Sequence, residues 1–377
     1  MIPFIDLRRQ SRKVSTEVIA GLRALIERGA FVGGPPVQRL ESSFAEYCGR
    51  RFGIALNSGS DALRFALMGW SLRKGDEVIT SPLTFIASSE AISQAGGTVR
   101  FADINPTTLT LDPADVRRRA GERTRVIMPV HLYGQMCDMP AFMKLAAERK
   151  LQVLEDACQA HGSAIRGKRA GAWGHAAAFS FYPTKNLGAF GDAGMLVTDD
   201  ERLAAQMRLL ANHGQTERYT HVIEGFNSRL DAFQALVLLA KMKQLQKWNE
   251  QRVEIAAMYS TLLAGVGEVQ LPAPPPTSKP IYYLYAIRAT RRDRLRKFLA
   301  AQGIESMTVY STPLHLQEAY RHLGYRQGSF PHAEAAARQI LCLPLYPGLL
   351  RNSIRQVALQ VRRFYQQRPA AHRAGRN

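Results

Sequence analysis

The chain has 377 residues, 46% hydrophobic and 21% charged, with a formal net charge of +19. Such a length buries a large core, and the composition is that of a globular protein, not a disordered or fibrous one. The longest apolar runs, such as Ala235 to Ala240, are far too short to span a bilayer.

Val14, Val18, Leu22, Leu25 and Ile26 recur at helical spacing, and Gly29 ends that helix. Phe31 to Pro36 reads as a loop, and a second amphipathic helix follows with Val37, Leu40, Phe44 and Tyr47. Phe52 to Leu56 reads as a strand that runs into Asn57-Ser58-Gly59-Ser60-Asp61-Ala62-Leu63 and an apolar helix to Trp70. A strand, small polar residues and a helix start make a ready anion site, because free N–H groups and the helix dipole point at it. Plain capping by Ser58 or Ser60 is the alternative. Glu77 to Thr80, Gly97 to Phe101 and Arg125 to Val130 are further strands, the last ending at His131-Leu132-Tyr133-Gly134. Asp138 to Glu148 is a helix with Pro140 in its first turn. Leu151 to Leu154 is a buried strand with Glu155-Asp156 at its carboxyl end. Strands alternating with helices predict an α/β fold, a mainly parallel sheet with helices on both faces. Ligands in such sheets bind beyond the carboxyl ends of the strands. Ser58 to Ser60, Phe85, His131 and Asp156 all fall at that edge.

Ala176 to Phe181 reads as another buried strand, stopped by Pro183. A single lysine, Lys185, follows, then Gly188, Gly191 and Gly194, then the apolar run Met195 to Val197. A lone lysine between two buried strands is where an enzyme places an amine nucleophile, since a desolvated amine condenses with an aldehyde. Taken singly, a solvated loop lysine is the commoner case. Leu203, Met207 and Leu210 mark a helix ending at Gly214, and a polar loop, Gln215 to Ser228, follows it. Asp231 then caps a long helix toward Leu263. Leu271-Pro272-Ala273-Pro274-Pro275-Pro276 leads to a second unit with strands at Tyr282 to Ile287 and Ile340 to Leu345 and a helix at Arg294 to Ala300. The expected division is a large α/β domain over 1–250, a smaller α+β domain over 251–365 and a basic, disordered tail over 366–377. From Arg351 onward the chain has seven arginines and no acid, which reads as a sticky extension.

Cys48, Cys137, Cys158 and Cys342 lie far apart, which argues against a zinc site or disulfide framework and fits a reducing cytoplasm. Met1 to Asp6 lacks a basic region followed by an apolar one, so no signal peptide is expected. The positive charge fits an anionic small substrate better than nucleic acid or a membrane surface, because the arginines are dispersed along helices. No G-x-G-x-x-G occurs. Gly162 to Lys168 mimics a P-loop, but Arg169 stands where a Ser or Thr would hold magnesium. No metal site is expected.

What remains is a lysine, a strand-end aspartate, an anion-binding helix start and an aromatic residue. Pyridoxal 5′-phosphate needs these four. Its aldehyde needs an amine, its pyridine nitrogen a carboxylate, its phosphate N–H and hydroxyl donors, and its ring a flat apolar partner.

Asn57 to Leu63, Thr84-Phe85-Ile86-Ala87, Pro129 to Gln135, Glu155-Asp156-Ala157-Cys158-Gln159-Ala160-His161-Gly162, Phe179 to Gly194 and Gly225 to Asp231 all resemble the DegT-type sugar-nucleotide aminotransferases. Ile5-Asp6-Leu7 and Pro313-Leu314-His315-Leu316-Gln317 are similar to the same family, so the resemblance covers nearly the whole chain in order. It implies the fold of a fold type I pyridoxal-phosphate transferase. It implies that Lys185 condenses with the cofactor and then moves the proton, and that Asp156 pairs with the pyridinium. Gln159 would hydrogen-bond the ring oxygen, Phe85 would stack on the ring, and Gly59, Ser60 and Ser180 would hold the phosphate. Asn227 would reach the phosphate across a dimer interface, which implies a homodimer with shared active sites. Within the family the chain looks closest to enzymes that aminate a 3-keto sugar on a nucleoside diphosphate, dTDP or UDP, with the sugar 6-deoxy. L-glutamate would be the donor and leave as 2-oxoglutarate. Tyr219, Tyr310 and His315 are the substrate-contact candidates. A 4-keto sugar is the main alternative substrate, and a non-catalytic regulatory relative is the alternative of another class. Ala193 stands where the family has glycine, which is tolerable if that backbone has negative φ.

Overall fold

The computed structural model describes residues 1–367. Of the basic tail expected over 366–377, residues 368–377 lie outside the described residues. Helix α1 (Arg8–Arg28) buries Val14, Val18 and Leu25, and Gly29 closes it in the left-handed region at φ 60°. Helix α2 (Gly34–Cys48) begins inside the expected loop, because Pro35 and Pro36 fit a first turn that needs no N–H. Strand β1 (Phe52–Leu56), α3 (Gly59–Gly69), β2 (Glu77–Thr80), α4 (Ala87–Gln94), β3 (Thr98–Phe101), α5 (Pro113–Arg119) and β4 (Thr124–Ile127) follow. Then come α6 (Met139–Arg149), β5 (Gln152–Asp156), a small hairpin of β6 (Ala164–Ile165) and β7 (Lys168–Arg169), β8 (Ala176–Ser180) and β9 (Gly194–Thr198). Helix α7 (Glu201–Ala211) leads to the hairpin β10 (Gln215–Glu217) and β11 (Thr220–His221), and then to α8 (Ala232–Leu263), 32 residues long. The remainder is β12 (Val269–Gln270), β13 (Ser278–Lys279), β14 (Tyr285–Ala289), α9 (Arg292–Ala301), α10 (Pro331–Gln339), β15 (Ile340–Leu343) and α11 (Arg351–Gln366).

Seven strands form the main sheet in the order β1-β9-β8-β5-β4-β2-β3. Strand β9 runs against both its neighbours, and every other pairing is parallel. Side chains alternate between the two faces, as a pleated strand requires. Ile54, Leu56, Leu154, Ala178 and Leu196 enter one core with α3 and α7. Ala55, Val153, Phe179, Met195 and Val197 enter the other with α2 and α6. A second sheet, β12-β14-β15, packs on α9 and α11 over a third core built from Tyr285, Ile287, Leu341 and Leu343.

Helix α8 joins the two bodies. Its first half gives Ala235, Leu238 and Leu245 to the main sheet, and its second half gives Ile255, Tyr259 and Leu263 to the small one. The expected division after residue 250 therefore falls inside a continuous helix. The first residues also cross over: Ile2 bridges to Ile304 beside the small sheet. Arg351 to Gln366, expected as a basic extension, is an amphipathic helix that buries Ile354, Val357, Ala358 and Val361.

Candidate active site

Because β1, β2, β4, β5 and β8 point the same way, the loops that follow them gather at one edge. A cavity of about 510 Å³ lies there, within the roughly 300–1,000 Å³ of small-molecule sites. Gly59, Ser60, Phe85, Asp156, Gln159, Ser180, Lys185 and Tyr310 all border it. A larger hollow, about 1140 Å³, opens among α2, the β6–β7 hairpin and α8. It contains none of the predicted site residues, so size alone does not mark the chemistry.

Ser58, extended at φ −157°, caps α3 through its side chain, which accepts the Asp61 N–H at 3.1 Å. Capping and anion binding are compatible, because the N–H groups of Gly59 and Ser60 precede the first intrahelical bond. Gly59 is there for space: a Cβ would stand 2.7 Å from Ser180 Cβ and 2.9 Å from Cys158 Sγ. At Gly194 a Cβ would lie 2.1 Å from the Ser58 carbonyl carbon. The helix start is thus pressed against the ends of β8 and β9. Ala193, by contrast, is not among the residues with positive φ, so its methyl group is unstrained.

Asp156 ends β5 and is 5% exposed. Its Oδ2 accepts from the Ser88 hydroxyl at 2.7 Å and its Oδ1 from the Cys158 N–H at 3.2 Å. Burial, followed by the charge of Asp156, pushes the Cys158 thiol well above its ordinary range, so it stays protonated. Gln159 accepts the Tyr133 N–H at 2.8 Å and donates toward the Tyr310 hydroxyl at 3.4 Å. Tyr133 can offer its N–H this way because its backbone is left-handed, at φ 58°. Burial pushes the Tyr310 phenol up. Lys185 lies in the turn after β8, its Nζ 4.5 Å from the ring centroid of Tyr283. The Tyr283 hydroxyl is 3.2 Å from Thr184 Oγ1. Phe85 is 55% exposed, its ring centroid 6.0 Å from that of Tyr310.

Beneath this edge Glu155 is fully buried. It accepts from the N–H groups of Gly171, Trp173 and Gly174 and meets His131 Nε2 at 2.9 Å. Burial raises its carboxyl pKa, but His131 and those N–H groups outweigh the burial and leave it lowered. His131 therefore braces the sheet edge and does not open into the cavity.

Three expected residues are placed elsewhere. His315 is buried, with Nε2 3.1 Å from Glu334 Oε1 and its ring edge-on to Phe330. Its polarity serves the carboxylate of Glu334 on α10, and it does not border the cavity as a substrate contact would. Tyr219, 79% exposed on the β10–β11 hairpin, and Asn227, exposed and bridged to Asn212, do not border the cavity of their own chain. Sequence reasoning missed Thr84, Ser88 and Tyr283. The first two form a hydroxyl pair at 3.0 Å that reaches Asp156, and their spacing of four was the available signal. Tyr283 gave none, since it read as part of a strand.

Residues 13–362 match the DegT/DnrJ/EryC1/StrS aminotransferase family. The chain belongs to that family. A pleiotropic regulatory protein of Geobacillus stearothermophilus is 42% identical over 366 residues, covering 97% of this chain and 98% of its own. A dTDP-3-amino-3,4,6-trideoxy-alpha-D-glucose transaminase of Streptomyces venezuelae is 42% identical over 363 residues, 96% of each chain. Among solved structures, S. venezuelae DesV matches with a TM-score of 0.95 at 42% identity, over 98% of this chain and 99% of that one. NtdA of Bacillus subtilis, with bound cofactor PMP, matches at 0.88 and 31% identity, over 96% and 85%. The α/β architecture with its mainly parallel sheet is the one these aminotransferases share.

Proposed function

We propose that this protein is a pyridoxal 5′-phosphate-dependent aminotransferase that converts the 3-keto group of a nucleotide-linked sugar to an amine. The carrier is dTDP or UDP, the sugar is 6-deoxy, and L-glutamate is the donor. One observation carries this reading. In a chain of an aminotransferase family, Lys185, the carboxylate of Asp156 and the start of α3 border a single cavity.

The donor set fits the cofactor. Asp156 is held by two donors and presents an acceptor suited to a ring N–H. The N–H groups of Gly59 and Ser60, with the hydroxyls of Ser60 and Ser180, suit a phosphate. Phe85 offers an exposed ring face. When bound, pyridoxal phosphate supplies an aldehyde and an electron-withdrawing ring. Lys185 Nζ is the amine that would hold that aldehyde and afterwards move a proton. Gln159 would sit beside the ring, and Tyr310 would border the substrate.

Asn227 and Tyr219 are exposed and lie away from their own cavity, so we assign them to the partner subunit's site in a homodimer. A cytoplasmic location suits a nucleotide-sugar substrate, and among the described residues no helix is long and apolar enough to cross a membrane.

The test is direct. Protein purified with pyridoxal phosphate should absorb in the visible, lose that band with L-glutamate, and aminate a dTDP-linked 3-keto sugar. Colourless protein that ignores the added cofactor rejects the reading. Activity on a 4-keto sugar alone replaces the substrate. The name of the Geobacillus relative favours one second reading, a regulatory role. It predicts that Lys185→Ala leaves the biological output intact.

A further inference from the structure

Helix α8 exposes Lys243, Gln246, Lys247, Glu250 and Glu254, yet three of its buried residues are Lys241, Asn249 and Arg252. With the half-buried Gln234 they are spaced 7, 8 and 3 residues apart, which places all four on one face of the helix. Each grips the surroundings of Lys185. Gln234 Oε1 accepts the Phe190 N–H at 2.9 Å. Lys241 Nζ donates to the Gly188 carbonyl at 2.6 Å and lies 4.5 Å from the ring centroid of Phe190. Asn249 Oδ1 accepts from the Asn186 side chain at 2.7 Å. Arg252 donates to the carbonyls of Tyr282 and Tyr283 at 3.3 and 3.1 Å. Tyr283 is the residue whose ring covers Lys185 Nζ.

Lys241 is the costly member. It is 5% exposed and, among the described residues, no carboxylate lies within ion-pair distance. Burial pulls its amine down to about 8. A buried charge without a counter-ion opposes folding, and methionine of similar shape would not. What the charge achieves is local: it fixes the carbonyl three residues after Lys185. The turn there is tight, since a Cβ on Gly188 would lie 2.4 Å from the Pro183 carbonyl oxygen.

We propose that the polar stripe of α8 is a positioning device for Lys185, with Lys241 as its central residue. The proposal rests on Lys185 being the reactive amine. It gives that amine a fixed direction through residues 186–190 and a fixed cover through Tyr283.

The experiment compares the wild type with Lys241→Met, Lys241→Arg and Lys243→Met, the last an exposed lysine of the same helix paired with Glu17. Apoprotein is treated with acetic anhydride over a pH series, and modification of Lys185 is followed by peptide mass analysis. Lys241→Met should shift the pH profile of Lys185 modification and lower kcat on the order of tenfold to a hundredfold, with the KM for glutamate little changed. Lys241→Arg should restore part of both, and Lys243→Met should change neither. A folded Lys241→Met protein with the wild-type Lys185 profile overturns the proposal. If Lys241→Met does not fold, Gln234→Leu is read by the same two criteria. Lys185→Ala, assayed alongside, separates the two claims: retained activity rejects Lys185 as the reactive amine, whereas the labelling profiles judge the stripe.

Discussion

Asp156 and its two donors form the smallest unit with consequences. Asp156→Asn keeps the shape and removes the charge. Turnover should fall at least about a hundredfold with the melting temperature little changed, since an interaction with developing charge is lost and a packing contact is not. Ser88→Ala removes one donor, so Asp156 loses about 1–1.5 kcal/mol of orientation and cofactor affinity should fall about tenfold in a titration of the apoprotein. Gly59→Ala puts a methyl group where Ser180 and Cys158 already stand. It should cost about 1–3 kcal/mol of stability, measured by urea denaturation, and weaken cofactor binding further. His161 makes a pH prediction. Packed among Phe44, Phe179 and Phe181 with neither ring nitrogen hydrogen-bonded, it is pulled down to about 3, by burial first and the charge of Lys185 second. The unfolded chain takes up this proton near pH 6.5 and the folded chain only near 3. Its contribution to stability is therefore complete above about 6.5 and is lost as pH falls, at about 1.4 kcal/mol per unit. His161→Phe should flatten the decline of stability between pH 6 and 4 by that slope (pH values chosen inside the window).

Among the elements, those long enough to show a period were legible in the sequence. Helices α1, α3, α7 and α8 and the strands of the main sheet lie within a few residues of their expected places. The short α4 and α5, of 8 and 7 residues, were invisible because two turns scarcely define a face. The strand expected from Tyr282 begins only at Tyr285. Tyr282 is left-handed at φ 48°, and Arg252 takes the carbonyls that a ladder would have used. Composition misled at α11, where the arginines drew attention from Ile354, Val357, Ala358 and Val361 at spacings of three, one and three. That helix is structural, so Val357→Asp should destabilise by about 3 kcal/mol or more, read as a lowered urea midpoint.

For the whole molecule, the meeting of Gly59, Ser60, Phe85, Asp156, Gln159, Ser180 and Lys185 at one cavity was legible because they lie at or just after the ends of main-sheet strands, where topology alone brings them together. The remaining predicted residues were harder to place, because Tyr219, Asn227 and His315 follow no strand of the main sheet. Tyr310 borders the cavity, whereas His315, Tyr219 and the phosphate candidate Asn227 do not, and Tyr219 and Asn227 are proposed to serve the site of a second copy. The exposed side chains of Phe31, Val32 and Phe190 suit an apolar interface between two copies. The protein should sediment as a dimer, and co-expressing Lys185→Ala with Asn227→Ala should recover activity that neither has alone. The central claim has a shorter test. Protein holding pyridoxal phosphate is reduced with borohydride, digested, and mapped by mass for the phosphopyridoxyl group. The account predicts the label on Lys185 alone; a label on another lysine, or none, contradicts it.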